Sequence, residues 1–163
     1  MFAVAAPSAA TKPEAYAELL AQVRALLAGE RDFTANSANL AALLFHSLEG
    51  LNWAGFYWLR GGELVLGPFQ GKPACVRIAL GKGVCGTAAA SRRTVVVPDV
   101  HAFPGHIACD SASMSEVVVP VVAGGRLVGV LDLDSPRPAR FDEDDARGLE
   151  AIVAAFVEST DLT

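Results

Sequence analysis

Cysteine is scarce: the 163 residues include three, Cys75, Cys85 and Cys109. An odd number cannot pair completely within one chain, which excludes a fold stapled throughout by disulfides. Long apolar runs are missing too. The longest, around residues 117–131, is interrupted by Pro120, Gly124, Gly125 and Arg126, so no segment predicts a membrane span of about 18 apolar residues. Nor is there a basic excess: 13 Lys and Arg stand against 18 Asp and Glu, for a formal net charge of −5. That balance argues against a nucleic-acid binder. The start, MFAVAAPSAATKP, lacks the positive region of a secretory signal and is broken by Pro7. With so few cysteines, this predicts a cytoplasmic protein. Hydrophobic residues make up 52% and charged residues 19%, which excludes a disordered chain. The expectation is a disordered tail over residues 1–12 and one domain over 13–163.

Within that domain the hydrophobic period changes along the chain. Ala17, Leu19, Leu20, Val23, Leu26 and Leu27 recur at helical spacing after Pro13, and Gly29 ends the run. A second helix is predicted to start in the cap region Thr34–Ser37 and to end at Gly50. Trp53–Leu59 and Glu63–Leu66 read as strands around a Gly61-Gly62 turn, with another strand over Cys75–Ala79. GKGVCGTAAASRR reads as a loop entering a short helix, and Thr94–Val97 as a short strand. An irregular stretch follows, to about Ser113. EVVVPVVAGGRLVGVLDLDS is a hairpin around Gly124-Gly125. FDEDD opens a last helix that reaches about Ser159, with acids at the positive end of its dipole. This order predicts an α+β domain with a central antiparallel sheet and helices gathered on one face.

The irregular stretch concentrates reactive side chains, and a loop of this length in a compact domain is usually functional. Cys75, Cys85 and Cys109 with His101 or His106 could supply four metal ligands. However, neither a C-x2-C nor an H-x3-H pair is present, so no metal is expected. His101 and His106 read more simply as loop histidines bonded to backbone, and His46 as a helix-surface or partly buried residue. Cys85, in GVCG, falls at a helix N-terminus whose dipole favours thiolate. Cys109 sits in a polar loop, and Cys75 could be core or a resolving thiol. Asp132 and Asp134, two apart on a strand, share a face. Glu116 pairs with Leu133 and faces away if the hairpin loop is only Gly124-Gly125. A longer loop or a bulge brings it opposite Asp134. Three clustered acids would then call for a cation, either a ligand ammonium or a divalent metal.

NWAGFYW, GVCGTAAA, DVHAFPGHIACDSASMSEVVVP and GVLDLDSPRPARFDEDD together resemble the free methionine-(R)-sulfoxide reductases, enzymes built on a single GAF domain. The resemblance runs from about Thr34 to Val157. It implies a GAF-like fold with a substrate pocket under loops, on the face of the sheet away from most helices. It also implies that Cys109 is the catalytic cysteine, Cys75 the principal resolving cysteine, and Cys85 a third that resolves or relays. Glu116, Asp132 and Asp134 match carboxylates that hold the substrate ammonium, with Glu116 or Asp134 protonating the sulfoxide oxygen. Trp53 and Tyr57 match an aromatic wall for the substrate methyl group. No bound cofactor is implied; an external dithiol such as thioredoxin, supplied ultimately by NADPH, would reduce the disulfide. A homodimer is also implied. The alternative is a non-catalytic GAF sensor of a small molecule or of redox state.

Overall fold

A computed structural model describes residues 4–107 and 110–162. Cys109, the expected catalytic cysteine, lies outside the described residues. Four helices, α1 (Lys12–Leu27), α2 (Phe33–Ser47), α3 (Gly83–Ser91) and α4 (Glu143–Ser159), accompany six strands. The strands are β1 (Trp53–Arg60), β2 (Glu63–Gly71), β3 (Arg77–Ala79), β4 (Val95–Val97), β5 (Ser115–Ala123) and β6 (Arg126–Ser135). They form one antiparallel sheet in the order β3-β2-β1-β6-β5-β4. Residues 4–11 have no helix or strand, and Ala5 exchanges two hydrogen bonds with the side chain of Gln22 on α1.

Alternation along the central strands divides the interior. Ala54, Phe56 and Trp58 of β1 join Val117, Val119 and Val121 of β5 and Leu131 and Leu133 of β6 against α1, α2 and α4. Trp53 and Tyr57, with Val118 and Val130, face the other way, toward α3. Side chains two apart on a strand share a face, so each central strand carries both a structural and a functional set. The helix side holds the larger apolar cluster and supplies most of the burial free energy.

Some element ends differ from the sequence expectation for local reasons. The cap of α2 is Asp32, whose side chain accepts from the Ala35 N–H; Asn36 and Ser37, expected in the cap region, are buried within the helix. Strand β3 begins at Arg77 rather than Cys75, which leaves Cys75 in the connection after β2. Helix α4 begins behind a capping box formed by Asp142 and Asp145.

Asp145 also ties the first and last helices together. Its carboxylate accepts from Tyr16 Oη at 2.9 Å, Lys12 Nζ at 2.5 Å and Arg140 at 3.1 Å. One turn along α4, Gly148 clears room for the Tyr16 ring: a Cβ there would lie 2.1 Å from Tyr16 Cγ. Gly148→Ala is therefore expected to destabilise the protein by about 1–3 kcal/mol through overpacking, measured by urea denaturation.

Candidate active site

The hairpin register decides where the acids go. Leu127 pairs with Val122 but Gly129 pairs with Val121, so Val128 is an extra residue on β6. Beyond this bulge Glu116 lies opposite Asp134, and Asp132 lies between Val118 on β5 and Gly55 on β1. Of the two registers compatible with the sequence, the bulged one is observed. All three carboxylates face the α3 side and line one cavity.

β1 supplies one wall. Trp53 and Tyr57 stack at 5.9 Å between ring centroids, and Trp53 stacks on Phe69 of β2 at 5.2 Å. Gly55, between them in sequence, has no side chain to obstruct this layer; a Cβ there would lie 2.3 Å from Phe69 Cβ. Both aromatic residues also hold the roof. Trp53 Nε1 donates to Lys72 O at 3.1 Å, and Tyr57 Oη donates to Cys75 O at 2.9 Å. These bonds fix the 72–75 segment, and with it the Cys75 backbone, over the cavity. On the opposite rim, Asn52 Nδ2 donates to Asp110 Oδ2 and Ser113 Oγ. Lys72 and Asp110 approach to 3.7 Å across the gap.

The space between these walls, with its open mouth and adjoining solvent included, is about 520 Å³. Trp53, Tyr57, Cys85, Glu116, Asp132 and Asp134 all line it, as do Lys82 and His106. Thus six of the eight residues picked out in the sequence meet in one place. Cys75 is held at the roof, and Cys109 falls outside the described residues.

Burial dominates the electrostatics. Desolvation raises Asp132 from 3.8 to about 7 and pushes Glu116 and Asp134 well above the usual carboxylate range, with Asp132 adding like-charge repulsion to both. Cys85 Sγ lies 3.9 Å from Glu116 Oε1. Burial, then the neighbouring Asp132 and Glu116, push its thiol well above the ordinary value. This corrects the expectation of a helix-stabilised thiolate: Cys85 is at the start of α3, but it is buried against acids and keeps its proton.

Two further participants carry weak sequence signals. His106 was expected to bond to backbone; instead its Nδ1 is buried, without a hydrogen-bond partner among the described residues, 3.9 Å from Glu116 Oε2. Burial first, then His101, lowers its pKa. Lys82 precedes α3 at the positive end of its dipole. One ligand atom each from Cys85, Glu116 and Asp132 lies within 4.8 Å of the others, so these residues could hold a cation.

The GAF domain family model matches residues 13–159, and the sheet with its covered pocket is that of a GAF domain. The free methionine-R-sulfoxide reductase of Escherichia coli is 54% identical over 143 residues, covering 88% of this chain and 87% of that protein. The enzyme of the same name from Saccharomyces cerevisiae is 43% identical over 156 residues, covering 91% and 87%. The structure of free methionine-R-sulfoxide reductase from Neisseria meningitidis in complex with its substrate superposes with a TM-score of 0.93. It is 47% identical and covers 98% of this chain and 95% of that one. The chain belongs to the free methionine-R-sulfoxide reductase family of oxidoreductases. Among the described residues, no helix is long and apolar enough to cross a membrane.

The raised carboxyl groups make a stability prediction for the ligand-free protein. Between pH 3.8 and about 7 the folded chain holds a proton on Asp132 that the unfolded chain has released. Its contribution is therefore fully present below the unfolded value and is lost as pH rises through the folded one. In urea denaturation across this window, Asp132→Asn should lose less stability than wild type as pH rises. Equal slopes would mean that the cluster does not hold the extra proton.

Proposed function

We propose that the chain reduces free L-methionine-(R)-sulfoxide to L-methionine by cysteine chemistry. The observation that carries this reading is the floor of three buried carboxylates beneath the Trp53–Tyr57 wall, in a relative of enzymes that act on this substrate. A substrate ammonium among Glu116, Asp132 and Asp134 relieves their mutual repulsion. Lys82 and the start of α3 offer positive potential to the substrate carboxylate. The aromatic wall takes the methyl group.

In the proposed reaction the Cys109 thiolate attacks the sulfoxide sulfur. The oxygen, accepting a proton from Glu116 or Asp134, transfers to Cys109. Methionine leaves and a sulfenic acid remains. A carboxyl group that keeps its proton near neutral pH is suited to this donation. Cys75 then attacks the sulfenic sulfur, releasing water and forming a Cys75–Cys109 disulfide. An external dithiol of the thioredoxin type, drawing on NADPH, reduces it. The Tyr57 bond to the Cys75 carbonyl supports Cys75 as the resolving thiol, and the protonated, buried state of Cys85 argues against Cys85 in that role. Neither a metal nor a bound cofactor takes part in the proposed steps. The sparse cysteines and reducing chemistry favour a cytoplasmic enzyme, and we carry the homodimer implied by the resemblance into the same proposal.

Single turnover with thiol counting tests the scheme. Wild type should lose two thiols per methionine formed, and Cys75→Ser should stop at a trapped sulfenic acid. Cys109→Ser should lower kcat by at least ~1,000-fold; turnover at the wild-type rate by that variant would overturn the assignment.

The cluster also sets substrate choice. N-acetylation replaces the ammonium with a neutral amide, leaving buried carboxylates uncompensated at a cost of several kcal/mol. The expected kcat/KM for N-acetylmethionine sulfoxide is at least ~100-fold below that for the free amino acid. Steady-state kinetics with both substrates checks this.

A further inference from the structure

The floor of the cavity carries one more set of donors than an ammonium needs. Cys85 Sγ lies 3.9 Å from Glu116 Oε1, and His106 Nδ1 lies 3.9 Å from the other oxygen, Glu116 Oε2. Asp132 completes a sulfur–oxygen–oxygen trio whose ligand atoms lie within 4.8 Å of one another. Two of the four carry an atom without a partner. Asp132 is more than nine-tenths buried, and its Oδ1 has no hydrogen-bond partner among the described residues; the partly exposed His106 has a buried Nδ1 that also lacks one. Buried polar atoms without a protein partner are uncommon and call for another partner, such as water or an ion.

We propose that Cys85, Glu116, Asp132 and His106 form an inhibitory binding site for one soft divalent cation of the zinc type, exclusive with the amino-acid ammonium. Four-coordinate zinc holds sulfur at about 2.3 Å and nitrogen or oxygen at about 2.0–2.1 Å, which places neighbouring donors about 3.5 Å apart. The Cys85–Glu116–Asp132 trio, whose ligand atoms lie within 4.8 Å of one another, closes to this by side-chain rotation, and His106, 3.9 Å from the second Glu116 oxygen but outside that trio, joins by turning its ring inward. A thiolate and an imidazole select zinc over magnesium or calcium, which prefer oxygen donors alone. On binding, the Cys85 thiol proton passes to solvent and the sulfur donates an electron pair to the metal. The exclusion of substrate rests on the reading of Glu116 and Asp132 as ammonium ligands; the binding of metal does not.

Cobalt(II) reports the site directly, using reduced, chelator-treated full-length protein. In a Cys75→Ser/Cys109→Ser background, any thiolate-to-cobalt charge-transfer band must come from Cys85. One equivalent of cobalt should give that band, with the strong visible bands of four-coordination, and zinc should abolish both. Adding Cys85→Ser should remove the band, and His106→Ala should weaken cobalt binding about 10-fold or more. Absence of the band overturns the proposal, as does a band that survives Cys85→Ser. Because Cys85→Ser could disturb folding, an unchanged cobalt affinity in His106→Ala independently overturns the four-ligand site. Free methionine should raise the apparent cobalt Kd in proportion to its concentration. Cobalt binding without this competition would uphold the metal site and overturn the shared ammonium site.

Discussion

Val128 is the extra residue on β6 that turns Glu116 toward Asp134. Without it, a hairpin closed at Gly124-Gly125 would pair Glu116 with Leu133 and direct its carboxyl group into the apolar layer beneath α1, α2 and α4. That layer contains Leu133 and Val117. A one-residue change of register would thus both dismantle the acid cluster and place an uncompensated acid in the core. The bulge is as much a condition for folding as for the site.

Once the register is set, the acids oppose the fold they sit in. Each unit by which a carboxyl pKa rises on folding costs about 1.4 kcal/mol at a pH where the unfolded group is ionised. Asp132, Glu116 and Asp134 are all raised. The opposite side of the same three strands holds Phe56, Trp58, Val119 and Leu131 against the helices, and a fully buried side chain of this kind contributes about 1.5–3 kcal/mol. Function and stability are separated by strand parity: the even positions of β1, the odd positions of β5 and, beyond the Val128 bulge, the odd positions of β6 face the helix-side core. The alternate positions face α3 and the cavity. Strain is thereby confined to one face of the sheet, where a cationic ligand can relieve it.

How much of this was legible in the sequence depends on the range of the interaction. Asp132 and Asp134 share a face because they are two apart on a strand, and that follows from local geometry. Trp53 and Tyr57 share a face for the same reason. The partner of Glu116 was not fixed, because the two-glycine turn is compatible with either register and Val128 looks like any strand residue. The cap of α2 was placed two or more residues late: Thr34, Asn36 and Ser37 have the right chemistry, but Asp32 reaches the Ala35 N–H. His106 offered only a weak signal, as one of two loop histidines that could join a metal set, because its place beside Glu116, ten residues away and on a different element, is a tertiary contact. Gly148 likewise matters only because Tyr16 packs against it.

Cys85 shows how a correct local reading can lose to its surroundings. The start of α3 does present a positive dipole end, worth about 0.3–1 kcal/mol and up to ~2 kcal/mol when partly buried. Burial acts against the thiolate and is the largest cause of the raised thiol pKa. Asp132 and Glu116 act in the same direction. The dipole cannot offset that sum, so the thiol remains neutral until something positive enters the cavity. A cation among the acids removes their repulsion, and one bound by the sulfur itself also compensates its desolvation. A substrate ammonium can do only the first of these. A soft metal can do both, so the feature that makes Cys85 a poor nucleophile leaves it able to act as a metal ligand.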